Sequence, residues 1–314
     1  MPALVEAVEE CVAEHTAGSP VDEHLLWTNR SPREIALELN DDGFSVCADT
    51  VRRILSEDLG LGLRQARKEE AASQFAFRDE QFRHIAKRRQ WYQRRGWPVV
   101  SIDTKKKELL GDFFRPGRAY TDGVVRVLDH DFVTLGAGRL VPYGVYDVTN
   151  NEGFVLLSQG PDTSQLACDA VRKWWDRLGW RRYWSAGGLL VLCDCGGSNG
   201  NRQLRFKEDL AELATELRRP IEVAHYPPSC SKFNPIERRL FCHVTRALRG
   251  VILPSIQVAR DFIAGTSTAS GLKVAVEIAR KMYHKGRKAT ADFLNTFPVR
   301  VNNFLPELNY TVLQ

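Results

Sequence analysis

Val99-Val100-Ser101-Ile102-Asp103 and Leu189-Leu190-Val191-Leu192-Cys193-Asp194 are two short apolar, β-rich runs, and each ends in a carboxylate. The second lacks polar alternation, the pattern of a strand buried on both faces. Between them, Tyr143 to Val148 and Phe154 to Ser158 flank the turn residues Thr149-Asn150-Asn151-Glu152-Gly153 and read as a β-hairpin. Ser164 to Leu178 follows as a helix, with Leu166, Ala170, Val171, Trp174 and Trp175 on one side. Beyond Asp194 come the exit loop Gly196-Gly197-Ser198-Asn199-Gly200, a helix over Leu204 to Leu217 and a strand over Ile221 to His225. A helix starting near Asn234 or Pro235 then carries Glu237. Residues 109 to 140 are Gly-rich, contain Asp129-His130-Asp131, and read as a hairpin or loop excursion. A hairpin leading into alternating helices and strands predicts an α/β fold, a mixed sheet with helices on its faces. Ligands of open sheets gather at the carboxyl ends of strands, where Asp103 and Asp194 stand.

Upstream the texture is helical. Leu4, Val5, Val8, Cys11 and Val12 fall on one helix face, and Ser31-Pro32-Arg33-Glu34 is a capping box with Pro at the first helical position. Asn40-Asp41-Asp42-Gly43 is turn chemistry, and Ser45 to Leu55 reads as a second helix with Arg52 and Arg53 outward. The pair is a helix-turn-helix or a plain helical hairpin. Residues 1–63 therefore form a small all-α region, 64–97 a basic connecting helix with aromatic anchors, and 98–314 the α/β domain. Residues 1–63 carry a net charge of −9, 64–95 carry +6, and the remainder +8. The basic balance after residue 63 suits either a polyanionic partner or a solvated helix face.

The 314 residues, 43% hydrophobic and 26% charged, exclude a peptide scaffold and a disordered chain. No apolar run approaches the roughly 18 residues of a membrane span, and Met1 to Ala17 lacks the basic start and cleavage site of a secretory signal. Seven cysteines without such a signal read as reduced thiols, and Cys193-x-Cys195 has no second Cys/His pair at zinc spacing. Gly196 to Gly200 lacks the Lys-Ser/Thr of a phosphate-binding loop, so no nucleotide cofactor is implied.

Two strand-end Asp residues and a helix-start Glu are what two hard divalent cations about 4 Å apart need for phosphoryl transfer, a set of carboxylate oxygens held close together. The alternative is that Asp194 caps its loop and Glu237 complements a helix dipole. Asp147, Glu152 and Glu277 are further acids that nothing in the sequence ranks above surface or hairpin charges.

Ser101-Ile102-Asp103-Thr104-Lys105-Lys106-Lys107-Glu108-Leu109, Asp194 with Gly196 to Gly200, and His225-Tyr226-Pro227-Pro228-Ser229-Cys230-Ser231-Lys232-Phe233-Asn234-Pro235-Ile236-Glu237 closely resemble three signature blocks. These are the blocks of the Rhodopirellula-type family of DDE transposases of bacterial insertion sequences. Pro142 to Asp147, Trp174-Trp175, Thr266-Ser267-Thr268 and Asn309-Tyr310-Thr311 extend the match over most of the chain from about Leu26. The resemblance implies an RNase H-like catalytic domain and a DDE mechanism with two Mg²⁺ ions, Mn²⁺ being a substitute. It carries over Asp103, Asp194 and Glu237 as catalytic and metal-binding residues. Asn199, His225, Lys232 and Asn234 fall in the same motifs as supporting residues. Lys105, Lys106 and Lys107, with Arg52 and Arg53, are expected to contact DNA. The implied partners are element ends and target DNA; a homodimer would cut two ends together, in the cytoplasm of a bacterial cell and associated with its nucleoid. Cys195 stands where the family usually has Gly, and a side chain there is expected to crowd the metal loop; Phe233 replaces a commoner Trp. Members typically begin with a further DNA-binding module, whereas this chain starts close to the second helix-turn-helix. The competing readings are therefore a catalytically inactive remnant that only binds DNA, and an RNase H-type nuclease without strand transfer.

Overall fold

The computed structural model describes residues 2–13, 16–18, 26–64 and 75–314, and the chain divides into two units, Met1–Ala72 and Ser73–Gln314. In the first, α1 (Pro2–Ala13), α2 (Pro32–Asp41) and α3 (Ala48–Arg53) enclose a core of Val8, Ile35, Leu39, Val51 and Ile54. The capping box at Ser31 is formed: its hydroxyl accepts from Glu34 N, and the Glu34 carboxylate accepts from Ser31 N at 2.7 Å. The second helix starts at Ala48, not Ser45. The Asn40 amide accepts from Val46 N at 3.1 Å and donates to Val46 O at 2.8 Å, which holds that stretch out of the helix. Nor is the region all-α, because β1 (Thr16–Gly18) pairs antiparallel with β2 (Leu26–Thr28), where Thr and Trp favour an extended chain. Arg52 and Arg53 are exposed, Arg52 pairing with Asp49.

The second unit opens on α4 (Arg78–Arg94), which ends at Gly96 with φ 66°. The basic connecting helix expected over 64–97 is thus described from Arg78, and residues 65–74 lie outside the described residues. There follow β3 (Val99–Thr104), β4 (Glu108–Leu110), β5 (Gly138–Asp147), β6 (Glu152–Ser158), α5 (Ser164–Trp174), α6 (Trp180–Tyr183) and β7 (Leu189–Cys193). Then come α7 (Leu204–Leu217), β8 (Ile221–His225), α8 (Cys242–Ala247), α9 (Ile256–Ala264), β9 (Lys273–Ile278), α10 (Ala291–Thr296), β10 (Val299–Val301) and β11 (Asn309–Val312). The excursion after β4 is closed at its base by pairing of β4 with β5. The helix expected to end at Leu178 continues through a π-helical turn, Trp175–Gly179, into α6.

Among the described residues these strands form one mixed sheet in the order β10-β11-β8-β7-β3-β5-β6-β9, with β4 on β5. Strands β3, β7 and β8 are parallel neighbours, and β5 is antiparallel to both β3 and β6. This is the RNase H-like mixed sheet. One face, carrying Val100, Ile102, Tyr143, Phe154, Val191 and Val223, is covered by α5 and α7. The other carries Val99, Tyr146, Val155, Leu190 and Leu192 and is covered by α4, by the helix through Ile236, Leu240 and Val244, and by α9.

Candidate active site

Period-two alternation assigns the carboxylates to a face before any contact is considered. Val99, Ser101 and Asp103 point to the α4 side of the sheet, as do Leu190 and Leu192. The parallel register Ser101↔Leu192, continued two residues, sets Asp103 beside Asp194 on strands about 5 Å apart. Asp103 is largely buried, and burial, the Asp194 charge and the nearby Glu237 and Asp162 push its carboxyl up to about 8, against a hydrogen bond from Thr104 N at 2.7 Å. Burial raises Asp194 as well, opposed by Gly196 N and reinforced by Asp162. Glu237 is raised by burial and by Asp194, and lowered by Lys105.

Glu237 reaches this face because its helix lies against small residues. It opens a π-helical turn, Glu237–Phe241. A Cβ on Gly144, the register partner of Asp103, would stand 2.6 Å from Phe241 and 2.8 Å from Ile236. One on Gly153 would meet Leu240 at 2.6 Å. The start of that helix is latched to β3 by Asn234, which is fully buried. Its Nδ2 donates to Ile102 O at 3.1 Å, its Oδ1 accepts from the Ser101 hydroxyl, and that hydroxyl accepts from Ile236 N at 3.0 Å.

His225 works from the opposite face. Its Nδ1 lies 2.7 Å from Asp194 O and its Nε2 3.2 Å from the Tyr310 hydroxyl. Burial depresses its pKa to about 4, so the ring is neutral, sealed from solvent, and a brace for the Asp194 backbone. Asn199 is buried at the pocket edge. Lys232 is exposed, with its ammonium 5.2 Å from the centre of the Phe233 ring.

The three lysines after Asp103 do not share one environment. Lys106 and Lys107 are exposed, whereas Lys105 is buried and paired with Glu108, a pair flanked by Arg115. Lys105 therefore lines the same pocket from a buried position and tempers Glu237. A pocket of about 570 Å³ opens over the strand ends, lined among others by Asp103, Lys106, Lys107, Asp131, Arg139, Asp162, Asp194 and Asn199.

A family model described as the Rhodopirellula transposase DDE domain matches residues 7–314. The chain belongs to that family. No curated protein matches it. Among solved structures, it is similar to the Mos1 transposase paired-end complex with left transposon end, at 14% identity over 82% of this chain and 69% of that one, TM-score 0.41. It is also similar to the Mos1 Strand Transfer Complex, at 14% identity over 82% and 68%, TM-score 0.42. A third is the Mos1 mariner paired end complex with Mn, at 14% over 74% and 65%, TM-score 0.41. At such scores the likeness adds nothing to the fold described above.

For this transposase DDE domain the donor set suits a hard divalent cation, since every candidate ligand is a carboxylate oxygen. No three His, Cys, Asp or Glu side chains among the described residues converge closely enough to cage an ion. The Cys195 departure does not crowd the pocket: its thiol turns away and donates to Tyr226 O at 3.0 Å. Phe233 packs edge-on against Phe82 of α4, ring centres 5.1 Å apart. Asp147, Glu152 and Glu277 lie elsewhere, bonded to Tyr183, Arg182 and Lys173 respectively. Sequence reasoning passes over Asp162, whose carboxylate accepts from Thr104 Oγ1 at 3.1 Å and from Ser198 Oγ at 2.7 Å. It joins the exits of β3 and β7, and its only sequence signal is its place before the Thr163 helix cap.

Proposed function

We propose that the chain is a transposase that cuts DNA at the ends of an insertion sequence and joins the freed 3′-hydroxyl to target DNA, with Mg²⁺ as cofactor and Mn²⁺ as a substitute. The observation that supports this reading is that Asp103 and Asp194 stand at the exits of the parallel strands β3 and β7 and line one pocket. Bound divalent cations would activate the attacking water or 3′-hydroxyl and neutralise the leaving oxygen. The chain's own part is to hold the three carboxylates on one sheet face, through Asn234, His225 and the small residues Gly144 and Gly153. Lys106, Lys107 and Arg139 line the same pocket and favour the approach of a phosphate backbone. The α2–α3 pair, with Arg52 and Arg53 outward, serves as a second DNA contact, and a homodimer cuts two ends together in the bacterial cytoplasm. Among the described residues no helix is long and apolar enough to cross a membrane.

The test is cleavage and joining of a labelled duplex carrying the flanking genomic repeat, with Mg²⁺ or Mn²⁺, comparing the wild type with Asp103→Asn and Asp194→Asn. The expected result is cut and joined products in the wild type, lost by at least about 10²–10³-fold in each variant while duplex binding persists. Cleavage retained in either variant would sink the assignment. Cutting without a joined product would instead identify an RNase H-type nuclease, and binding without any cut an inactive remnant. The thiol of Cys195, one motive for the remnant reading, points out of the pocket and so favours the active one.

A further inference from the structure

Strand β9 runs parallel to β6, which runs antiparallel to β5, which runs antiparallel to β3. Strands β9 and β3 therefore point the same way, and the segment leaving β9 emerges at the end of the sheet where Asp103 sits. That segment, Arg280-Lys281-Met282-Tyr283-His284-Lys285-Gly286-Arg287-Lys288, holds five cations and no acid. A run of charge is most often a solvated face, but this one is fastened along its length. Ala279 N donates to Leu157 O at 2.8 Å and extends the ladder. Tyr283 is buried against Gly160 with its ring facing Asp169. Downstream, Thr290 N and Oγ1 donate to the Glu208 carboxylate at 3.0 and 2.7 Å. Lys281 and Arg287 reach Asp169 and Asp209 at 3.4 and 3.6 Å, whereas Arg280, Lys285 and Lys288 are exposed and make no ion pair among the described residues. Below the segment lies a groove of about 850 Å³ whose Arg172, Lys173 and Arg177 are ion-paired with Asp169 and Glu277.

We propose that segment 280–288 is a phosphate-binding rim that grips duplex DNA to one side of the bond being cut. The idea rests on the DNA-cleaving reading above and deepens it by assigning where the flanking duplex is held. From β3 to β9, at whose exit Arg280 stands, is three inter-strand spacings, about 14 Å, and the rest of the segment crosses α5 and α7. At about 3.4 Å per phosphate along each strand, that is about four base pairs. Lys106, Lys107 and Arg139 stand at the pocket from which that path starts, so cations mark both its ends. A fixed set of cations also loses less freedom on binding than a mobile tail does.

The experiment is a salt titration of duplex binding by the full chain in EDTA, so that no strand is cut, for the wild type and for R280Q/K285Q/K288Q. A control, R181Q/R218Q, removes exposed cations from segments that enter β7 and β8 at the opposite end of the sheet. For every phosphate no longer neutralised, the slope of log K against log salt falls by about 0.9, so the triple variant should be shallower by about 2 to 3 and at least about tenfold weaker in moderate salt. The control should keep the wild-type slope. Thermal unfolding should match the wild type, because Tyr283, Thr290 and Glu208 are intact. A triple variant with the wild-type slope, or a control that weakens as much per charge removed, overturns the rim and leaves the transposase reading standing. A wild type that binds no duplex overturns both.

Discussion

Behind the carboxylates, Asn234, Ser101 and His225 are buried and hydrogen-bonded to the backbone of the elements that carry the site. Lys106 and Lys107 at the pocket, and segment 280–288 along α5 and α7, are exposed apart from Tyr283, and Arg280, Lys285 and Lys288 make no ion pair among the described residues. The first region uses its polar atoms for position, the second leaves them open to a ligand. Because of this division, substitutions behind the site should cost stability and geometry together, whereas those in the second region should alter DNA affinity alone.

The strongest way to break that contrast is Asn234→Ala. It leaves the Ser101 hydroxyl without its acceptor and the Ile102 carbonyl without the Asn234 donor, each worth about 1–3 kcal/mol when buried. The unfolding midpoint in urea should fall accordingly, and cleavage should drop with it; an unchanged midpoint would mean the latch is idle. Next is Gly144→Ala, whose new methyl would force Phe241 and Ile236 away from the sheet at about 1–3 kcal/mol. Here the informative comparison is between lost stability and lost cleavage, since displacement of Glu237 predicts that cleavage falls further than stability alone would explain.

A smaller effect concerns protons. Asp103, with its carboxyl pushed up to about 8, holds a proton in the folded state that the unfolded chain releases near 3.8. In the cation-free protein its contribution therefore favours folding below about pH 4 and is lost as pH rises through about 8. A divalent cation competes with the same proton, so Mn²⁺ affinity measured by calorimetry should rise by about tenfold per pH unit up to about 8 and then level. A flat profile between pH 6 and 8 would show that Asp103 is not a ligand. The smallest effect belongs to Cys195→Ser, which keeps a donor for Tyr226 O: stability should move by less than about 0.5 kcal/mol and cleavage should be unchanged. Lost cleavage there would return Cys195 to the site.

What is legible in the sequence divides along the same line. The runs ending at Asp103 and Asp194 announce buried strands with strand-end carboxylates, since apolar pattern and position are local properties. Glu237 is also visible as a helix-start acid, but its approach to the sheet depends on Gly144 and Gly153, and no local pattern marks a glycine as the seat of a distant helix. Three consecutive lysines look equivalent as letters. Lys105 is buried with Glu108 over it while Lys106 and Lys107 are exposed, a difference set by tertiary pairing and not by any local pattern. The second helix starts three residues later than its pattern predicts because Asn40 binds Val46 from six residues away. Asp162 is invisible to local reading since both its partners lie on other strand exits.

The side-chain amides of Gln81 on α4 and Asn309 on β11 bond each other at 2.8 Å in both directions, across 228 residues, and Gln81 also holds His225 O. Tyr310, the next residue, supports the His225 ring. The brace for Asp194 thus draws on the beginning and the end of its unit, and closing so long a loop carries an entropic cost that short-range elements do not face. Folding kinetics should register this: the hairpin and single helices can form early, while the active centre is completed late, when β11 slots between β8 and β10. Until that strand is in place, the chain has its carboxylates but not yet the architecture that aims them.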